Sequence, residues 1–155
     1  MAPLADGKME IADIVGREYP PFQFEVEKGR IRMFCQAIGE DNPVYHDQAA
    51  AKRAGYRSIP VPPTFPFTII MEANQSFMIL DELGIDKTRT MHGEQQFIYH
   101  ADICAGDVIT GRQTVIDTYE KKGGALRFIV TEVRLDNQSM EHVGDLRTTI
   151  VIRNV

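Results

Sequence analysis

Cysteine is scarce in this chain: Cys35 and Cys104 are the only two in 155 residues. Two cysteines cannot build a disulfide framework, and they lack the CxxC spacing of a metal or redox motif. They read as buried thiols in a reducing compartment. A basic block is also missing. The 17 Lys and Arg residues are mixed among 22 Asp and Glu, for a formal net charge of -5. Neither nucleic acid nor an anionic membrane is an expected partner of such a surface. Met1 to Lys8 lack an apolar signal core, so a cytoplasmic location is expected. No P-loop, GxGxxG or GxSxG occurs, which leaves nucleotide binding and serine hydrolysis without support. The four histidines, His46, His92, His100 and His142, show no HxH or HExxH spacing. No metal site and no cofactor are expected from that spacing.

What is present is the composition of an ordinary globular protein, 43% hydrophobic and 25% charged. One domain with one core fits this length, with residues 1–10 as a flexible leader and 11–155 as the domain. Phe22, Phe24 and Val26 alternate with polar neighbours and predict a short strand. Ile31, Phe34, Cys35 and Ile38 follow helical spacing, so a helix is predicted over 28–38, ended by Gly39. Asp47 is placed to cap a second helix, with Ala49 to Ala51 inside it and Lys52 and Arg53 at its negative end.

Pro60, Pro62 and Pro63 forbid helix before Thr64, which is placed as an N-cap with Pro66 in the first turn. From Phe65 to Leu83 the chain is apolar on most sides. A single helix of about 19 residues there would run roughly 28 Å. Glu72, Asn74, Gln75, Ser76 and Asp81 interrupt the run and argue against a membrane span. Its Phe and Met residues read as core more than as the wall of an acyl-binding site.

Strands follow the helix. Gln95, Phe97 and Tyr99 alternate with polar and mixed neighbours, and Val108 to Tyr119 is rich in β-branched residues. Gly123-Gly124 predicts a hairpin into 125–135, where Leu126, Phe128 and Val130 share a face. A last strand carries Leu146, Thr148, Ile150 and Ile152 on one face. A long apolar helix and an antiparallel sheet with one apolar face satisfy each other when the sheet curls around the helix. That is an α+β hotdog fold.

Residues 34–51 are the most informative stretch. They contain Gly39-Glu40-Asp41-Asn42-Pro43-Val44-Tyr45-His46, ahead of Ala49, Ala50 and Ala51. The stretch resembles the hydratase signature of the MaoC-like (R)-specific enoyl-CoA hydratases and 3-hydroxyacyl thioester dehydratases. Ile59-Pro-Val-Pro-Pro-Thr-Phe65 resembles the start of the central helix in the N-terminal, FAS1-like branch of that family. Met91-His-Gly-Glu-Gln-Gln-Phe-Ile-Tyr-His100, followed by Gly106-Asp107, resembles a strand motif of the same branch. Alone, Asn-Pro is an ordinary turn initiator. With two further motifs in order, the resemblance covers most of the chain.

The resemblance implies reversible dehydration of a 3-hydroxyacyl thioester, or hydration of a 2-enoyl thioester, carried by CoA or acyl carrier protein. That reaction needs an acid–base pair and donors to the thioester oxygen. In the family an Asp and a His supply the pair. Here Glu40 stands for the Asp and Tyr45 for the His, with His46 one residue further on. Glu40 adds a methylene, and a misplacement of roughly 1 Å can cost about a hundredfold in rate. Tyrosine, with a reference pKa near 10, is a poor base at neutral pH. The candidate catalytic residues are Glu40 with Tyr45, or Glu40 with His46.

Asn42, Pro63, Thr64, Phe65 and His92 are candidate substrate-binding residues by the same resemblance. Catalytic relatives carry His-Gly where Pro62-Pro63 aligns, and proline has no N–H to donate, which leaves the N–H groups of Thr64 and Phe65. His92 and Glu94 also read as structural hydrogen-bonding partners. The FAS1-like branch includes non-catalytic A-type subunits of heterodimeric 3-hydroxyacyl-ACP dehydratases. A dehydratase with degenerate catalytic positions is therefore one expectation, and a pocket-forming subunit beside a catalytic MaoC-like partner is another. A hotdog thioesterase, with Glu72 as its nearest carboxylate, is a third. A homodimer or heterodimer is expected in each case.

Overall fold

The computed structural model describes residues 10–73 and 75–154. The predicted leader lies outside them apart from Glu10. Five antiparallel strands form one sheet: β1 (Phe22–Glu25), β2 (Thr90–Tyr99), β3 (Val108–Lys121), β4 (Leu126–Asp136) and β5 (His142–Arg153). Their order is β1-β3-β4-β5-β2, so β1 and β2 are the edges. The β3–β4 hairpin turns through Lys122, Gly123 and Gly124, all with positive φ. Two adjacent glycines make that left-handed path inexpensive.

The register decides which apolar residues meet. Ile129 pairs with Ile150, Thr131 with Thr148 and Val133 with Leu146. All six are buried. The core face of β5 is the predicted one, but that of β4 is Ile129, Thr131, Val133 and Leu135. The face carrying Phe128 is the opposite one, where its ring stacks on Tyr119 with centroids 4.5 Å apart. Both faces of β4 are apolar, so alternation alone could not choose between them.

Helix α1 (Lys28–Ile38) buries Ile31 and Cys35 and ends at Gly39, with φ 72°. Helix α2 (Gln48–Arg53) is capped by Asp47, whose carboxylate accepts the Ala50 N–H at 2.7 Å. The predicted run 65–83 is two helical segments, α3 (Pro66–Glu72) and α4 (Gln75–Glu82). Ala73 closes α3, and Asn74 lies outside the described residues. Thr64 is not the cap. The residue before Pro66 is Phe65, already helical in backbone, and its N–H donates to the Pro62 carbonyl at 2.9 Å. A turn over 62–65 thus runs directly into the helix.

Phe65 is fully buried between Phe24 and Phe34, which meet it edge-on at centroid distances of 6.2 and 5.4 Å. With Ile69, Ile70, Ile109 and Leu135 it forms the core under α3. Ile79 and Leu80 of α4, and Leu83 just after it, form a second cluster with Val115, Ile129 and Ile152. No helix of the described residues is long and apolar enough to cross a membrane.

One buried carboxylate ties the loops to the sheet. Asp107 is fully buried just before β3. It pairs with Arg57 and accepts the Cys104 N–H at 2.8 Å and the Gln138 side-chain amide at 3.2 Å. Burial pushes its pKa up, but Arg57, Cys104 and Gln138 outweigh that and hold it below the ordinary carboxylate range. A depressed folded-state pKa stabilises the fold above the unfolded value, and that contribution disappears as pH falls through the folded one. Asp107→Ala strands the buried Cys104 N–H and removes the acceptor of Arg57 and Gln138, so we expect a loss of about 1–3 kcal/mol at neutral pH in urea unfolding. Below about pH 5 the gap between wild type and variant should narrow progressively. A gap that widens in acid would contradict this role.

Candidate active site

The turn over 40–46 satisfies its own polar groups. Gly39 reverses the chain, and the Glu40 N–H returns to the Cys35 carbonyl at 2.9 Å. The Glu40 carboxylate accepts the Asn42 N–H at 2.8 Å, and Asn42 Oδ1 accepts the Val44 N–H at 3.1 Å. Pro43 then starts a single 3-10 turn, Pro43–Tyr45, where its missing N–H costs nothing.

The two ring side chains after Asn-Pro diverge. His46 is exposed, and its Nε2 lies 2.8 Å from the Glu40 carbonyl oxygen, closing the turn. Tyr45 is half-buried and lines a cleft of about 280 Å³ with Tyr56, Val61, Pro63, Tyr99 and Ile103. Burial raises the Tyr45 pKa, and the neighbouring Glu40 charge raises it further. At neutral pH Tyr45 is a protonated hydrogen-bond donor, not a base. Of the two pairs that residues 40–46 leave open, Glu40 is near enough for its charge to act on Tyr45, while His46 braces the turn.

The helix start offers few donors. Pro62 and Pro63 have none, and the Phe65 N–H is taken by Pro62. The Phe65 ring belongs to the core. Thr64 is exposed, and among the described residues its N–H has no acceptor. The Pro63 carbonyl accepts from the Tyr99 hydroxyl, whose pKa burial raises. Tyr56 and Tyr99 are cleft residues the sequence did not single out. Tyr99 was on a predicted strand face, but nothing local showed that this face meets the proline turn.

His92 lies elsewhere. β2 has a bulge between His92 and Glu94, and a Cβ on Gly93 would come within 2.6 Å of Val151 Cγ2. The bulge directs His92 toward α3, where its ring centroid is 5.2 Å from that of Phe67. His92 Nε2 is 3.2 Å from the Glu94 carbonyl oxygen. His92 lines a second, apolar cleft of about 340 Å³, with Phe67, Met71, Phe77, Met91 and Ile150. Met71 of α3 and Met91 of β2 are exposed there, so Met71 is not the core residue that the helix pattern predicted. Glu72 faces neither cleft: it is half-exposed and paired with Arg30.

The curled antiparallel sheet, the helices on its apolar face and the Asn-Pro turn define a hotdog protein of the MaoC-like dehydratase type. The model of the FAS1-like, dehydratase domain region matches residues 13–146, and the chain belongs to that family. A UPF0336 protein of Thermobifida fusca is 38% identical over 142 residues, covering 91% of this chain and 92% of that protein. A C-terminally truncated HadBC (3R-hydroxyacyl-ACP dehydratase) complex from Mycobacterium tuberculosis contains a chain superposing with a TM-score of 0.77 at 26% identity, covering 93% of this chain and 98% of that one. A MaoC-like dehydratase gives a TM-score of 0.81 at 24% identity, covering 92% of this chain and 43% of that one.

Asn42→Ala should remove the side-chain acceptor that closes the turn, at a cost of about 1 kcal/mol. Chemical denaturation measures this. An unchanged unfolding midpoint would mean that Pro43 alone sets the turn.

Proposed function

We propose that this chain is a pocket-forming subunit of a dimeric dehydratase acting on 3-hydroxyacyl or 2-enoyl thioesters of CoA or acyl carrier protein. Its own acid–base site is degenerate. The observation that carries this reading is the fate of the two residues after Asn-Pro. The one facing the cleft is a phenol whose pKa is raised, and the imidazole is bound back onto the turn. A base for the α-proton and an acid for the departing hydroxyl must both work near neutral pH. Tyr45 is suited only to donating a hydrogen bond.

Thr64, Pro63 and Asn42 frame the thioester end in this reading. His92 sits apart, on an apolar cleft of a size to accept part of an acyl chain. Support for a partner comes from the edge strand β2, where Met91 is 46% and Tyr99 50% exposed. The similar HadBC dehydratase is itself a complex. The catalytic pair would then come from a MaoC-like partner; pairing of two identical chains is the other form of the dimer.

A second reading, a slow enzyme in its own right, is favoured by Glu40, which is half-buried and electrostatically coupled to Tyr45.

Hydration of crotonyl-CoA by the isolated chain, followed by loss of enoyl absorbance, separates these readings. We expect slow or no turnover. Glu40→Asp combined with Tyr45→His should raise it by restoring the family's pair. Abolition of a measurable wild-type rate by Glu40→Gln, with little change in Tyr45→Phe, would establish the second reading. Fast wild-type turnover that survives Glu40→Gln would overturn both.

A further inference from the structure

Three metal-ligating side chains converge away from the 40–46 turn. His100 lies one residue beyond β2, and His142 and Asp145 lie on β5. Regular alternation would put 142 and 145 on opposite faces of the sheet. A bulge prevents this. Across from them on β4, Asp136 pairs with His142, Leu135 with Gly144 and Arg134 with Asp145, so Val143 is the extra residue. His142 and Asp145 therefore share a face.

The neighbouring strand brings the third group. Ile98 pairs with Asp145, and the Val143 carbonyl accepts the N–H groups of His100 at 3.0 Å and Ala101 at 3.2 Å. Gly144 lets β2 come this close: a Cβ there would lie 2.9 Å from the Ile98 carbonyl oxygen.

The side chains complete a compact set. His100 Nε2 is 2.8 Å from Asp145 Oδ2, and His142 Nε2 is 2.8 Å from Asp145 Oδ1. The imidazole centroids are 4.3 Å apart, and the three ligand atoms lie within 4.8 Å of one another. Asp145 is 15% exposed, His142 28% and His100 41%, so the group has a covered floor and one open side. The facing cation, Arg134, is engaged by Asp136, which also holds Arg112.

We propose that His100, His142 and Asp145 bind one divalent transition-metal cation of the zinc type. Two imidazoles and one carboxylate are the donor set such ions take, and three protein ligands leave a position for water or another small donor. With neutral imidazoles, binding needs only a tautomer shift that frees both Nε2 lone pairs and a small ring rotation toward the cation. His100 also lines the Tyr45 cleft, so the ion would sit at its rim. The ligands escape a sequence search because His100 and Asp145 are 45 positions apart, and the separation of three between His142 and Asp145 matters only across a bulge.

Titration of the metal-free, full-length chain with Co2+ tests the site through its visible ligand-field bands. We expect one saturable site, with bands bleached by Zn2+ and loss of the signal in His100→Ala and in His142→Ala. His46→Ala and His92→Ala should keep it. His100 is exposed and beyond the strand end, so its variant should fold; circular dichroism checks this. Histidine ring nitrogen NMR of the wild-type chain with Zn2+ should show His100 and His142 shifting together, which requires no variant. Absence of a saturable site in wild type, or binding unchanged in His100→Ala and His142→Ala, would overturn the proposal.

Discussion

Covering an apolar helix is the constraint on which the rest of this structure depends. Phe65, Ile69 and Ile70 of the 65–72 segment, and Ile79, Leu80 and Leu83 beyond it, cannot face water at acceptable cost. The sheet curls to cover them. Once Phe65 is held between Phe24 and Phe34, the proline turn before it is held too. Its carbonyls are then placed where Tyr99 can reach one and the Phe65 N–H another. The helix start is thereby rigid, and poor in free donors. A dehydratase that polarises a thioester at a helix start needs the opposite, open N–H groups. The packing of Phe65 and the scarcity of free N–H donors at this end of the helix share one cause.

The same economy governs the 40–46 turn. Glu40, Asn42 and His46 all spend hydrogen-bonding capacity on holding the loop. The His46 imidazole, bound to a backbone carbonyl, does not line the cleft. Tyr45 lines the cleft, where burial and the Glu40 charge keep it a protonated donor.

Two bulges redirect the histidines. One at Gly93 turns His92 toward Phe67, and one at Val143 brings His142 beside Asp145. Each changes a side-chain direction by adding a residue, leaving the core register on either side intact. His100 and His92 consequently line different clefts.

Local chemistry is what the sequence determined by itself. The glycine stop of α1, the Asp47 cap, the hairpin at Gly123-Gly124 and the apolar face of β5 each depend on residues a few positions apart, so spacing revealed them. The hotdog architecture followed because one apolar helix and one amphipathic sheet have few ways to cover each other. The Asn-Pro turn was legible for the same reason. Tertiary structure alone decided the rest. It chose the core face of β4, where both faces are apolar. It placed Phe65, not Thr64, at the N-cap of α3, with the Phe65 ring fully buried. It separated Tyr45 from His46, added Tyr56 and Tyr99 to the cleft, and joined His100 to Asp145. Those outcomes rest on contacts between distant segments and on bulges that reset the alternation, and neither leaves a periodic trace in the chain.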